Sequence, residues 1–369
     1  MASNINADNG VVSGSAGLKT SADSSGVLAL QTNGTTAVTV DTSQNVTFNS
    51  TGFFTLPSGT TAQRPSSPVA GMARYNTTTQ NPEWYDTATS SWLQFSTPGG
   101  YSIQYVVVAG GGSGSTNGGG GGAGGYLSTV TGEYSGGGVV AGSPILASTG
   151  QAYTITIGAG GAGGPYFTAG NNGGNTIFGS IVATGGGRGG GELASSGVGV
   201  AGGSGGGGGY QNAAGGSGTA GQGYAGGTST GGSNGFYAGG GGAGAVGETP
   251  PSAKGGNGGV GVQSAISGTN TYRAGGGGGG YQNGTPVGTG GLGGGGNGGF
   301  GATVVATSGT SNTGGGGGGA SGGAGVSANG GSGVVILRYL GSQRGSGGTV
   351  TSANGYTIHT FTSSGSFIA

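Results

Sequence analysis

Cysteine is absent from this 369-residue chain, and charged residues are scarce: 8 Lys and Arg, 8 Asp and Glu, and a single histidine. Without cysteine there are no disulfides and no thiolate metal ligands, and one histidine does not make a zinc site. The balanced, sparse charge provides no basic field to hold nucleic acid or an anionic membrane. We therefore expect no metal, no cofactor, no nucleic-acid partner and no insertion into a membrane.

Targeting segments are missing as well. The opening "MASNINADNG" has neither a basic stretch nor an apolar core, so a secretory signal is not expected. No run of about 18 apolar residues is present that could span a bilayer. The sequence thus predicts synthesis in a cytoplasm without a signal peptide.

Catalytic groups are equally rare. No aspartate follows Asp86, and the later glutamates, Glu133, Glu192 and Glu248, lie in separate segments. Paired carboxylates of the kind that hydrolyse polysaccharides are therefore not expected. His359 lies in "YTIHTFT", where alternation predicts that it faces away from Ile358 on a strand surface. Matches to G-x-G-x-x-G are trivial in so much glycine, and no phosphate-binding G-x-x-x-x-G-K-[ST] occurs. The sequence predicts that the protein is not an enzyme.

Glycine is what the chain has in abundance, with 109 residues, of which 10 fall in 1–100 and 93 in 101–333. This shift places a domain boundary near Gly99. Before it, thin Thr- and Ser-rich strands surround a hairpin turn at Asn33-Gly34. These strands bury little within one chain, which favours burial against identical neighbours in a homotrimer. The predicted domains are a β-rich shaft and attachment region (1–56), an extended linker (57–70), a small aromatic β-hairpin module (71–100) and a glycine-rich tip (101–369).

The glycine runs begin at Gly110, which a single residue separates from the strand Ile103 to Val108, and they number about ten. A disordered linker would avoid the aromatic and β-branched residues between the runs. Collagen needs glycine at every third position, and a calcium-binding β-roll needs aspartate. The remaining interpretation is a bundle of polyglycine II helices, whose amide groups bond to neighbouring helices. The predicted fold is mostly β and irregular, with a β-rich fibre region, a polyglycine II bundle closed by β-strands, and little or no α-helix.

Aromatic residues beside the glycine runs are the best candidates for a binding site. They either cap the bundle and shield its backbone from water, or contact sugar rings or a protein surface. If each run is one helix and successive helices alternate in direction, Tyr210 and Tyr281 fall at one end of the bundle. Phe236-Tyr237 and Tyr272-Arg273 then share the other end. The expected receptor-binding residues are Phe236, Tyr237, Tyr272, Arg273 and Phe300, and the expected caps are Tyr166, Phe167, Tyr210 and Tyr281.

Two stretches resemble known proteins. The pattern "GMARYNTTTQNPEWYDTATSSWL" (71–93) resembles a small module common in tail fibres and other appendages of tailed bacteriophages. The alternation of glycine runs and ordinary segments over 101–333 resembles the glycine-rich domain of phage receptor-binding adhesins, such as those that cap the long tail fibres of T-even-type phages. The closing pieces "GGSGVVILRY" and "YTIHTFTSSGSFIA" resemble the ends of glycine-rich phage appendage proteins.

The resemblance implies a non-catalytic virion fibre protein that binds host polysaccharide or an outer-membrane protein through loops of its tip. It also implies attachment to other virion proteins through the N-terminal region. The chain departs from the T-even-type adhesins in carrying its own fibre-like N-terminal region, because there the adhesin is a separate tip protein. A virion structural or decoration protein, for example a head fibre, is the main alternative, and an ice-binding or cell-wall protein is a distant one.

Overall fold

The computed structural model divides the chain into two compact units, Met1–Ser96 and Thr97–Ala369. It describes residues 28–32, 35–49, 53–95, 100–165, 168–192, 197–230, 232, 235–322 and 326–369. Within these residues there is no α-helix, which confirms the predicted fold class. Two short 3-10 turns occur, at Thr61–Gln63 and Gly136–Gly138. The strands are β1 (Leu28–Thr32), β2 (Thr35–Val40), β3 (Val46–Phe48), β4 (Ser58–Gly59), β5 (Ala73–Asn76), β6 (Asn81–Asp86), β7 (Ser91–Gln94), β8 (Tyr101–Val108), β9 (Tyr126–Ser128), β10 (Ile145–Ala147), β11 (Ala152–Thr156), β12 (Thr176–Phe178), β13 (Ile181–Ala183), β14 (Val262–Ser264), β15 (Thr271–Arg273), β16 (Val334–Leu340), β17 (Thr349–Ala353), β18 (Tyr356–Phe361) and β19 (Gly365–Ile368).

The first unit contains two small sheets, β1-β2-β3 and β4-β5-β6-β7. Strands β1 and β2 pair antiparallel on either side of the predicted Asn33-Gly34 turn, whose residues lie outside the described part. Strands β5, β6 and β7 form the predicted antiparallel module. The 57–70 stretch is not a free linker, because β4 within it pairs in parallel with β5.

A buried carboxylate ties the 57–70 stretch to the module. Glu83 on β6 is fully buried and accepts hydrogen bonds from Arg64 Nη2 at 2.6 Å and Asn76 Nδ2 at 3.0 Å. Arg74 Nε lies 3.5 Å from the same carboxylate. The hydrogen bond from Arg64 is the main cause that lowers the pKa of Glu83. A buried charge needs such partners, so the arginine-bearing turn folds back onto the sheet.

The second unit begins with β8, which pairs with β16 in a sheet ordered β10-β8-β16-β18-β17, with β9 also paired to β8. Both strands contain four consecutive apolar residues, Tyr105–Val108 in β8 and Val334–Leu337 in β16. Such strands without alternation are typical of a sheet covered on both faces. One core packs this sheet against the sheet β13-β12-β11-β19 and includes Ile103, Leu337 and Phe367. The other core packs its opposite face under the β14-β15 hairpin and includes Val106 and Ile266.

His359 on β18 is fully buried, so the prediction of a strand-surface residue was wrong. Its Nε2 lies 2.9 Å from the Tyr339 hydroxyl, its Nδ1 lies 2.8 Å from the Gly347 carbonyl, and its ring meets Phe367 edge-on. Burial lowers the pKa of His359. Alternation misled here because β18, like β8, is covered on both faces.

The glycine runs form an array of extended segments that bond to one another rather than to themselves. At the centre lies the 118–125 segment, whose N–H and carbonyl groups bond to six other segments. Gly121, for example, donates to Gly317 at 2.8 Å and accepts from Gly277 at 2.8 Å. The six segments around it are 109–115, 184–191, 203–209, 236–243, 274–280 and 314–321. Each of the six also bonds to the next around the ring, so the array is hexagonal in cross-section, as polyglycine II bonding requires.

Steric contact explains why the central segment is almost pure glycine. A Cβ added at Gly120 would lie 2.1 Å from the Gly277 carbonyl oxygen, and one at Gly122 would lie 2.2 Å from that of Ser204. At Gly124 the oxygen of Ala109 would be 2.0 Å away. These contacts are with the backbones of three different neighbours, so a side chain at any of these three positions would clash.

Several glycine runs contain a reversal, so the prediction that each run is one helix was wrong. The run 110–125 turns at Asn117, where φ is 43°, and becomes two antiparallel segments. The run 288–299 turns at Gly293, where φ is 105°. One or two left-handed residues reverse the chain, and where these are glycines within a run, as at Gly293 and Gly294, they leave no compositional signal.

Asparagine closes the edges of the array. Asn172 Oδ1 accepts from the Arg188 N–H at 3.0 Å, and Asn329 Oδ1 accepts from the Gly163 N–H at 2.7 Å. Asn257 and Asn297 do the same for the N–H groups of residues 289 and 290. These side chains take the place of the next backbone, which protects exposed edges from pairing with another chain.

Candidate functional site: the loop end of the glycine bundle

The bundle has two different ends. At one end the segments continue into β8, β9, β16 and the β14-β15 hairpin, and we call this the sheet end. At the other end, near Gly118, the segments are joined by short loops instead of paired strands, and we call this the loop end. Loop-end connections include 210–212, 281–286 and 300–304. Of the candidate aromatic residues, Tyr210, Phe236, Tyr237, Tyr281 and Phe300 lie at the loop end.

Three aromatic residues lie close in the fold at this end: Phe236, Tyr281 and Phe300. We call them the aromatic strip. Phe236 and Tyr281 are joined by an antiparallel bridge, and their ring centroids are 5.4 Å apart at 50°. Ser321 links the backbone of Tyr281 to that of Gly299, the residue before Phe300, since its hydroxyl lies 2.5 Å from the Tyr281 carbonyl and 3.2 Å from that of Gly299. All three residues are partly buried and partly exposed.

Tyr237 has a different role from its neighbour. It is fully buried, and its hydroxyl donates to Gln282 Oε1 at 3.1 Å. Since Tyr237 exposes no surface, it does not meet a receptor in this conformation. It anchors the loop that carries Tyr281 and Gln282.

Tyr210 and a polar pair occupy the adjoining part of the loop end. Gln211 and Asn212 follow Tyr210 with φ of 61° and 58°, which is uncommon for residues other than glycine. Left-handed backbone at residues such as Gln211 and Asn212 is often found at functional sites. Nearby, Asn117 donates from Nδ2 to Glu192 Oε2 at 2.5 Å and so joins two loops.

Tyr272 and Arg273 lie at the sheet end, on β15. Arg273 is buried beside Tyr126 and Glu133, and burial lowers the pKa of Arg273 and raises that of Tyr126. Glu133 Oε1 accepts from the Ala265 N–H at 2.9 Å, so this glutamate stabilises the β14-β15 hairpin instead of being only a solvated loop residue. Arg273 is therefore a structural residue of the second core.

The predicted division of the aromatic residues between the two ends was wrong. Phe236 was expected opposite Tyr281, yet the two rings are in contact, while Tyr210 and Tyr281 do share an end. The error has one cause, which is chain reversal inside glycine runs. Each such reversal, for example the turn near Gln222, adds a segment and so changes which end of the bundle the later loops are assigned to. The expected caps Tyr166 and Phe167 lie outside the described residues.

Sequence reasoning overlooked the polar residues of the loop end. Gln282 belongs to the repeated "YQN", which follows a glycine run in two loops. The prediction used only the tyrosine of this repeat. Ser321 and Asn117 interrupt glycine runs, and an interruption of a run that must pack on all sides is a usable signal. Glu192 carried no signal, because its partner Asn117 is 75 residues away.

Within the described ranges, no cluster of three or more His, Cys, Asp or Glu side chains is arranged to hold a metal ion. Nor does any helix in that part of the chain have the length and apolar character needed to cross a membrane.

A family model described as a glycine-rich domain matches residues 87–340, more than half of the chain. The chain belongs to the glycine-rich domain family. The match covers the whole glycine bundle and the strands β8 and β16 that flank it. No curated protein and no solved structure matches the chain.

Proposed function

We propose that the protein is a non-catalytic fibre subunit of a bacteriophage virion, which binds the bacterial surface through the loop end of its glycine bundle. The observation that carries this proposal is the asymmetry of the bundle. One end is occupied by paired strands and two apolar cores, while the other presents loops and half-exposed aromatic rings. Loops held on a rigid scaffold are a common arrangement for recognition. The resemblance of residues 71–93 to a phage appendage module supports the virion assignment.

The test is adsorption of the purified protein to a panel of bacteria. We expect the protein to adsorb to a susceptible strain and not to mutants of that strain that lack the receptor. Replacing Phe300 by alanine should reduce adsorption about ten-fold, because an interface depends on a few aromatic anchors. Tyr272→Ala, at the sheet end, should adsorb like the native protein.

Thermal midpoints of both variants should stay close to the native value, which separates recognition from folding. Adsorption to no bacterium, or equal loss in Phe300→Ala and Tyr272→Ala, would contradict the proposal. A virion decoration protein without a receptor would give the first of these results.

Assembly into a homotrimer through the first unit belongs to the same proposal, as does attachment of that unit to other virion proteins. Phe53 is 92% exposed and Phe54 63% exposed, and Phe48 stacks on Phe54 at 5.0 Å. No residue of the 35–49 stretch is buried. Exposed aromatic surface of this extent favours burial in an assembly. Native mass measurement of the purified protein should give three times 33.8 kDa, and a folded monomer would contradict this prediction.

A further inference from the structure

We infer that the aromatic strip of Phe236, Tyr281 and Phe300 binds an uncharged glycan. This inference rests on the proposed function and specifies the class of its receptor. The chemistry of the strip and its surroundings decides between a sugar and the alternatives.

The strip is held in place before any ligand binds. Phe236 and Thr230 exchange two backbone hydrogen bonds, at 3.0 and 3.2 Å, and the Thr230 hydroxyl donates to the Pro250 carbonyl at 2.9 Å. Phe300 and Val304 exchange two more, at 2.7 and 3.0 Å. Because these bonds fix the backbone at Phe236 and Phe300, little conformational entropy is lost there when a ligand stacks on the rings.

Amide groups border the rings. Gln282 accepts from Tyr237 through Oε1, which leaves its NH2 group as the donor on the other side. Gln211 is exposed at the tip of the neighbouring loop. A sugar ring has an apolar face of C–H groups and an edge of hydroxyls, so partly exposed aromatic residues with amide groups nearby match both of its surfaces.

Charge at this end argues against an anionic ligand. Glu192 is bonded to Asn117, and Lys254 is paired with Glu248 at 2.9 Å. In the described part of the chain no arginine is stacked on or hydrogen-bonded to the three strip residues, whereas arginine usually anchors carboxylate and phosphate groups. An uncharged sugar is the ligand that this surface complements.

The experiment uses the full-length protein and a bacterial strain that adsorbs it. Cells are treated either with periodate, which cleaves the vicinal diols of sugars, or with a broad-specificity protease. We expect periodate to abolish adsorption and protease to leave it unchanged. Polysaccharide purified from the same cells should compete with them for the native protein.

Variants locate the binding to the strip. Phe236→Ala and Tyr281→Ala should each bind the purified polysaccharide about ten-fold or more weakly, since each removes a stacking surface. Tyr134→Ala is the matched control, because Tyr134 is an aromatic residue 58% exposed near the sheet end. It should bind like the native protein. The competition measurement needs no variant, so it tests the glycan even where a substitution disturbs folding.

Loss of adsorption after protease but not after periodate would overturn the glycan and indicate a protein receptor, while leaving the proposed function intact. Native binding by both strip variants would overturn the location. Absence of adsorption to every strain would instead refute the proposed function itself.

Discussion

Gly121→Ala should prevent the glycine bundle from reaching its native fold. The new Cβ would lie 2.1 Å from the Gly112 carbonyl oxygen and 2.6 Å from that of Ser113. Both contacts are with backbone, so no side-chain rotation relieves them. Moving the segment breaks its bonds with Gly317 and Gly277, and the shift propagates around the ring. Overpacking alone costs about 1–3 kcal/mol, and lost bonds add to it, so we expect a loss of at least about 3 kcal/mol.

Gly142→Ala is the control for this substitution. A Cβ at Gly142 meets nothing closer than 3.8 Å, and the backbone there does not need a left-handed conformation. It should therefore be neutral or slightly stabilising. Hydrogen exchange of the bundle amides measures the outcome, because these groups exchange quickly if the array opens. Equal protection in both variants would show that the lattice tolerates side chains and would contradict the packing described above.

The position of a segment in the array can be recognised in its sequence. The central segment 118–125 contains consecutive glycines because all of its sides meet backbone. At the edge, the segment "GAGGAGGP" (158–165) places Ala159, Ala162 and Pro165 in solvent, while Gly158, Gly161 and Gly164 are buried. Three residues per turn put every third side chain on the same side. Pure runs thus indicate interior segments, and a period of three indicates edge segments.

The connectivity of the array could not be predicted in the same way. The reversals at Asn117 and at Gly293 depend on one or two residues with positive φ, which glycine and asparagine adopt at little cost anywhere in a run. The members of the aromatic strip could be predicted individually, because Phe236, Tyr281 and Phe300 each lie beside a glycine run. Their meeting at one end depends on bonds between residues far apart in sequence, such as the bridge from Phe236 to Tyr281. Composition predicts the kind of packing, and hydrogen bonding decides which residues it brings together.

Removal of the buried carboxylate by Glu83→Ala should unfold the small β-sheet module at much lower denaturant concentration. The substitution leaves Arg74, which is itself buried, without an acidic partner, and frees Arg64 from its bond at 2.6 Å. Breaking one side of a buried ion pair costs about 3–5 kcal/mol. Both tryptophans of the chain, Trp84 and Trp92, lie in this module, so tryptophan fluorescence reports on its unfolding alone.

Two variants and the pH dependence make this last prediction specific. Glu83→Gln keeps an acceptor for Arg64 and Asn76 but loses the charge, so it should be destabilised less than Glu83→Ala. Asp86→Asn, on the same strand, should shift the transition by no more than about 0.5 kcal/mol, because Asp86 bonds only to its own turn. Since the folded pKa of Glu83 is lowered, its contribution is present above the unfolded value of about 4.3 and is lost as the pH falls toward the folded value. The native protein should therefore lose module stability in that acidic range, and Glu83→Gln should lose less. Matching fluorescence transitions for Glu83→Ala and Asp86→Asn would show that the carboxylate does not hold the module together.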